Sequence, residues 1–434
     1  MLQSLIDGIA DTAGDNRVRH SYGADGAEAK RTDAMGQSTS YAYNAFGERV
    51  GVSAPASAGE TYTLDRRGLR VQTELAGSGL LLVTSTVYDA FGRAERTEDA
   101  NGNVRTYSYD RSGRQVAARD PLGGGRSTTY DAFDRVLTET DARGNITSYA
   151  YDKDARSIAV SRAGAGTALS VFNVHGEVAT STDANGHLTT YSYDRDGHVL
   201  TKTVDPDGLK LKTTYSYDEA GRVLKVRSPT GSLTEYVYDA LGRRTQERVD
   251  PEGLDLKHSW TYDANGNAVT STDARGLVTR YAYDAAGRLT YTVDPAGNTR
   301  VNNYDEAGRV ILTKSYATPI DDPKELGTSF SVADVKARVT RSASDLVEYR
   351  VLDDAGRVLA TVDGTGAVVA YAYDRNGNVV KRTAYAEPIA LDDWTRGTVP
   401  KPKADAAHDS LRSRPTTRST ARSIPWTARE PSWS

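Results

Sequence analysis

The 434-residue sequence contains no cysteine, which excludes disulfide staples, thiolate metal sites and thiol catalysis together. Neither sign of charge dominates: 54 basic and 58 acidic residues leave a net −4, without the basic footprint of a general nucleic-acid binder. Apolar residues amount to 38%, too few for deep cores. No apolar run approaches the roughly 18 residues that would span a membrane. The opening Met1-Leu-Gln-Ser-Leu-Ile-Asp7 lacks a cationic leader and does not read as a signal peptide. Phenylalanine is scarce as well, with 5 against 26 tyrosines. An imbalance of that size points to one motif copied many times.

The motif is Tyr-Asp. Sixteen anchors, counting weaker copies at Tyr22, Tyr43, Leu64, Phe172 and Leu352, lie in one register from residue 22 to 373. Eleven of the fifteen intervals are 21 residues, three are 24, and one is 48. The clearest anchors, each with its turn glycine, are Tyr88-Asp89 with Gly92, Tyr109-Asp110 with Gly113, and Tyr217-Asp218 with Gly221. Further along come Tyr238-Asp239 with Gly242, Tyr283-Asp284 with Gly287, Tyr304-Asp305 with Gly308, and Tyr373-Asp374 with Gly377.

Each unit alternates two turns, Asp-x-x-Gly-Arg and Asp-x-x-Gly-Asn, with two short period-two segments such as Thr106-Tyr107-Ser108-Tyr109. Asp bonds its own backbone in such turns, glycine supplies a positive φ, and the alternation is that of a strand. The glycine position holds Asp134 and Ala155 in two units, and Ala155 is expected to be strained or to force another turn. The pattern predicts an all-β fold of tandem hairpins. A sheet of about thirty-two strands does not stay flat, so a curved, spiral, shell-like wall is expected.

Few residues suggest chemistry. The histidines (His20, His175, His187, His198, His258 and His408) read as repeat drift; His187 replaces a turn Asn and His198 a turn Arg. Asp183-Ala-Asn185-Gly186 and Asp374-Arg-Asn376-Gly377 open like calcium loops but lack the later ligands. The segment Pro121-Leu-Gly-Gly-Gly-Arg126 lacks the Lys-Ser/Thr of a phosphate loop. No catalytic residue, cofactor or metal is therefore expected, and the chain reads as non-enzymatic. Paired tyrosines such as Tyr107/Tyr109, Tyr149/Tyr151, Tyr191/Tyr193 and Tyr281/Tyr283 predict a cross-strand aromatic ladder, or else a surface for sugar or an unfolded chain. Arg93, Arg114, Arg222, Arg243, Arg288, Arg309 and Arg357 are expected to pair with neighbouring turn carboxylates, or to form an anion-binding stripe.

These anchors, turns and the 21-residue period resemble the RHS (YD-repeat) family, which includes bacterial Rhs polymorphic toxins, B and C components of insecticidal toxin complexes, and animal teneurins. The resemblance covers residues 11–394. It implies a hollow β-shell that encloses a C-terminal toxin or decorates a cell surface, with a cargo toxin domain and secretion machinery, type VI among the routes, as partners. A carbohydrate is the partner under the rival reading of a surface adhesin. Nucleic acid and membrane spans are not implied. The family's Arg-x-Tyr-Asp-x-x-x-Gly-Arg core signature, its Asp-Pro self-cleavage site and a preceding delivery domain are not found in the sequence. The resemblance implies a secreted or cell-surface full-length protein, whereas this chain alone would stay cytoplasmic.

The expected organisation is a lead-in over 1–21, YD-repeat sheet over 22–310, an insert over 311–349, further repeats over 350–394 and a disordered tail over 395–434. Within the insert, 331–340 (Ser-Val-Ala-Asp-Val-Lys-Ala-Arg-Val-Thr) has capping-box spacing and helical periodicity. Ser315-Tyr-Ala-Thr-Pro-Ile320 recurs as Ala384-Tyr-Ala-Glu-Pro-Ile389, so a second insert begins, with a Tyr-Asp anchor due near 416. The sequence there turns to Arg, Ser, Thr and Pro instead. Codons compatible with 415–418 and 425–433, read one base over, encode Tyr-Asp-Ala and a near copy of Val362-Asp-Gly-Thr-Gly-Ala-Val-Val369, which predicts a frameshift between about 405 and 415.

Overall fold

A computed structural model describes residues 18–405 and 408–413, and within them thirty-three strands, from Arg19–Tyr22 to Ser410–Ser413, form one sheet. Strand pairing is antiparallel and follows sequence order, as each hairpin turn dictates. One unit shows the cause. Val104–Tyr109 ends at its anchor, Asp110 opens a tight turn, and Gln115–Arg119 returns. Gly113 N–H donates to the Asp110 carbonyl at 3.1 Å, and Asp110 N–H donates to the Arg114 carbonyl at 3.0 Å. That closure needs a left-handed residue at Gly113, whose φ is 85°. Tyr109 then faces Gln115 while Ser108 faces Ala117, so a bulge falls at the anchor. Bulges raise local twist, and their repetition curls the sheet.

The two non-glycine units answer differently. Asp134 takes the left-handed conformation at φ 66°. In the Ala155 unit the left-handed residue is Arg156 instead, at φ 48°, and strands Ile146–Asp152 and Ser157–Arg162 pair without a bulge. Another turn is thus forced and Ala155 is spared.

After Val310–Ser315 the chain leaves the sheet, crosses one face as a strap, and returns as Leu346–Leu352 paired to the strand it left. The strap is pinned by Tyr316 N–H to the Thr299 carbonyl and Ile320 N–H to the Gly297 carbonyl, both at 2.9 Å. A 3-10 turn, Pro323–Leu326, and helix α1, Val332–Arg338, follow. Ser331 and Asp334 cap α1 reciprocally, as their spacing predicts. Its Val335 is fully buried with Ala282, Tyr291, Val293 and Val301 of the sheet and with Ile320 and Leu326 of the strap. A one-layer sheet buries little, so this strapped region holds the main core.

The strap repeats. Tyr385 and Ile389 N–H donate to the Val368 and Gly366 carbonyls at 3.0 and 2.8 Å, and Asp409 accepts from Ala386 N–H as Asp345 does from Ala317 N–H. The chain then re-enters the sheet at Ser410–Ser413, beside Val379–Ala384. Order therefore extends into the stretch expected to be disordered, and the repeat pattern persists through Asp409. Residues 1–17, 406–407 and 414–434, with most of the frameshift expectation, lie outside the described residues.

The sheet also meets itself. The turn joining Arg70–Gly77 and Leu80–Tyr88, the sixth and seventh strands, touches the Asp353–Arg357 turn between the twenty-ninth and thirtieth. The loop between the eighth and ninth strands touches the turn between the thirty-first and thirty-second, through Asn376 Nδ2 to Asp99 Oδ2 at 2.9 Å and Asn101 Nδ2 to Asp374 Oδ2 at 3.1 Å. Both offsets are twenty-three strands. Ala58 N–H to the Asp354 carbonyl (2.8 Å) and Arg309 Nη2 to the Ala56 carbonyl (2.6 Å) extend the seam. A β-carbon on Gly77 would strike the Asp354 carboxylate, so glycine admits the next winding there.

Candidate functional site

The repeated chemistry of the wall lies in its Asp-x-x-Gly-Arg turns. Asp239 Oδ1 accepts from the N–H groups of Leu241 and Arg243 at 3.0 and 2.9 Å, and its Oδ2 accepts from Arg243 Nε at 2.7 Å. The same guanidinium reaches forward. It lies 4.6 Å from the centre of the Tyr262 ring, the next anchor, and its Nη1 donates to the Asp263 carbonyl at 3.0 Å. Tyr262 in turn donates its hydroxyl back to the Arg244 carbonyl at 2.6 Å. The Asp239 unit thus holds the next by a cation–π contact and a hydrogen bond in each direction.

The pattern recurs along the sheet. Arg93, Arg114, Arg288 and Arg357 lie 4.6 to 5.0 Å from the rings of Tyr109, Tyr130, Tyr304 and Tyr373. Arg222 lies over Tyr238 at 4.8 Å, and Arg309 donates to the Asp353 carbonyl at 2.9 Å. The arginines therefore ion-pair within their own turn, with Asp110–Arg114 at 2.7 Å, and bridge to the next through its backbone and ring. Arg114 alone of those named adds a neighbouring turn carboxylate, Asp134, at 2.7 Å.

The predicted aromatic ladder is replaced. Among the described residues the ring-on-ring pairs are His198 stacked on Tyr217 (4.8 Å) and Tyr349 edge-on to Trp394 (5.5 Å), not tyrosine on tyrosine. Turn arginines supply cations to the anchor tyrosines, so along the anchors arginine alternates with tyrosine, while Tyr149 of the inner positions donates to Glu139 instead. Sequence reasoning missed this because the partners sit sixteen or nineteen residues apart and meet only once hairpins stack. The recurring offset from turn Arg to next anchor, sixteen residues and nineteen in the longer Tyr238 unit, was the available signal.

Each anchor tyrosine named from the sequence closes its strand, each Asp opens the turn, and Gly92, Gly113, Gly221, Gly242, Gly287, Gly308 and Gly377 have φ between 74° and 85°. Electrostatics follow the hydrogen bonds. The Arg243 N–H is the largest influence on Asp239 and, with the guanidinium, holds its carboxyl below the usual range against partial burial. At Asp89 burial is the largest influence and opposes ionisation, but the Arg93 and Phe91 contacts outweigh it and the pKa is lowered. Burial raises anchor tyrosines Tyr217, Tyr283, Tyr304 and Tyr373. In the strapped core Tyr291 is pushed up to about 12, by burial first and then by Tyr316.

Asp194, Asp196 and His198 bring possible ligand atoms within 4.8 Å of one another. Asp194 is already engaged: Oδ1 accepts from Asp196 and His198 N–H, and Oδ2 contacts His198 Nδ1 at 3.1 Å. His198 thus fills the arginine's place, in hydrogen-bond contact with Asp194 behind and stacked ahead on Tyr217. Asp183 and Asp374 likewise spend Oδ1 on their own turn N–H groups. A hollow of about 460 Å³ beside Leu233 is lined by charges that pair with one another, Lys225–Glu235 at 2.6 Å and Arg227–Glu252 at 3.4 Å. No helix among the described residues is long and apolar enough to cross a membrane.

The geometry defines a class: a tandem-hairpin shell wall whose repeated residues cross-link neighbours. Comparison supplies the family. The RHS Repeat model matches residues 88–124, 262–299 and 353–387, and the Teneurin YD-shell model matches 125–257. The chain belongs to the RHS (YD-repeat) family. No curated protein matches the sequence. Among solved structures it is similar to TcdB2-TccC3-Cdc42 (TM-score 0.66, 15% identity, 85% of this chain) and to the Tc holotoxin pore of Photorhabdus luminescens with a mutated TccC3 (0.67, 16%, 85%). A further TcdB2-TccC3 crystal structure gives a TM-score of 0.65 at 16% identity. This chain spans about a fifth of those chains, 21%, 21% and 22% respectively.

Proposed function

We propose that the chain is a non-enzymatic wall segment of an Rhs-type toxin shell, and that its work is to enclose a cargo polypeptide. The observation that carries this is the seam, where the sheet meets itself after twenty-three strands and so surrounds a space. At about 4.8 Å per strand, one winding is roughly 110 Å around and about 35 Å across. Side chains narrow the bore to about 25 Å, since half the ~10 Å sheet-packing distance is lost at each wall. A compact 100-residue domain, with a radius of gyration of about 13 Å, is wider than that. Cargo would therefore enter small or unfolded. In a longer protein such a wall would hold a toxin domain through export, by type VI or other secretion machinery, which accords with a secreted full-length form.

The rival reading, a surface adhesin that binds carbohydrate, needs open aromatic faces. On the strands arginines lie over such faces, Arg244 at 4.9 Å from Trp260 and 5.5 Å from Tyr236, while the exposed rings of Phe46, Phe91 and Phe133 stand singly at turn tips. Protease protection tests the proposal. An unfolded reporter peptide fused to the chain should be cleaved at least about tenfold more slowly than on an unrelated carrier. Equal cleavage rates would overturn containment, and saturable binding on a glycan array would move the reading to adhesion.

A further inference from the structure

The sheet has two rims, one made of first turns (Asp-x-x-Gly-Arg) and one of second turns. At the seam, first turns at 305–309, 353–357 and 374–378 meet second turns at 54–58, 77–79 and 99–102. Turn-tip residues there are small or polar: Ala307, Ala355 and Asn376 on one side, Ala56, Ser78 and Asn101 on the other. Backbones approach closely as a result.

The uncovered lengths of both rims differ. On the free first-turn rim, tips carry Phe46, Phe91, Phe133 and Leu241, exposed by 75 to 88%. Phe46, Phe91 and Phe133 fall on alternate hairpins, four strands or about 19 Å apart. On the free second-turn rim stand Leu122, Leu209 and Leu254, exposed by 74 to 86%. Most other tips outside the seam are small or polar, as at Ser112 and Asn185, with Val174 (74% exposed) a further apolar residue on the first-turn rim and Met35 (43%) on the second-turn rim, so the apolar residues are spaced teeth. No docked tip has one. Singly, an exposed apolar residue is ordinary; here most recur at matching turn positions along each rim, on the same kinds of turn that dock at the seam.

We propose that the two free rims dock onto each other between copies, so that the chain assembles head to tail. The second-turn rim of one copy, with Leu122, Leu209 and Leu254, seats on the first-turn rim of the next, with Phe46, Phe91 and Phe133. The contact continues an interface the chain already makes within itself, first turns on second turns, and prolongs the same winding. The two surfaces differ, so the contact is heterologous and propagates.

Rim variants test this in the full chain. Phe46→Ser with Phe91→Ser alters one rim, and Ser already occupies the same tip at Ser112 with its turn bond intact. Leu122→Asn with Leu254→Ser alters the other, Asn101 being the residue at the tip that matches Leu122. Light scattering coupled to gel filtration should show the unaltered chain growing from monomer to oligomers with concentration. Each variant alone should associate about tenfold or more weakly, as expected when anchors leave an interface. The two variants mixed should form a one-to-one dimer through their intact rims. An unaltered chain that stays monomeric, or a mixture that forms no heterodimer, would overturn the proposal; circular dichroism matching the parent certifies that the variants fold.

Discussion

At the residue scale, one aspartate per unit carries the turn. Asp65, Asp89, Asp110, Asp131, Asp218 and Asp239 all have lowered pKa values, because N–H groups and a guanidinium favour the charged form over whatever burial opposes it. A depressed folded-state pKa contributes stability that is present above the unfolded value, about 3.9, and is lost as pH falls through the folded values. The same group recurs along one sheet, so the losses fall in one narrow window. Thermal melts followed by circular dichroism should hold a plateau above about pH 5 and drop steeply below about pH 4. A melting temperature flat to pH 3 would show that the turn carboxylates do not hold the fold. This residue-level role was legible from Asp-x-x-Gly-Arg alone, since the turn is local. The forward reach of Arg243 to Tyr262 was harder to see, because its signal is an offset of nineteen residues to the next anchor and the two meet only once hairpins stack.

At the scale of elements, strap and hairpin stand in contrast. The capping box of α1 and the recurrence of Tyr-Ala-x-Pro-Ile were readable, being set by spacings of three and 69 residues. Where the strap lands was not readable, because it depends on Gly297, which in sequence is an ordinary turn glycine. A β-carbon there would collide with the Ile320 carbonyl, whereas at Gly144 it would meet open space. Gly144→Ala should cost only the left-handed penalty, about 1–2 kcal/mol. Gly297→Ala should cost that and also lift the strap from Val293 and Val335. Hydrogen exchange would then rise at the Tyr316 and Ile320 amides in Gly297→Ala and remain at parent rates in Gly144→Ala. Equal behaviour of the two variants would remove the strap's role in closing this core.

At the scale of the molecule, the count of strands was readable and the closure was not. The period fixes about two strands per 21 residues, but the number per winding follows from the twist that each anchor bulge adds, summed over the sheet. The seam joins residues more than 250 apart in sequence, such as Ala56 with Arg309 and Asp99 with Asn376. Enclosure, self-docking of rims and the size of the bore all depend on it. The absence of cysteine makes it directly measurable, since introduced thiols will be the sole labelling sites. Spin labels at Ala100→Cys and Arg375→Cys flank the Asn101–Asn376 contact without removing it. Pulsed dipolar spectroscopy should give one narrow distance near about 20 Å, the reach of two label arms across touching turns, with the wall closed after twenty-three strands. A sheet that fails to come round would instead separate these turns by up to about 110 Å at ~4.8 Å per strand. A broad distribution beyond about 60 Å would contradict the closed winding.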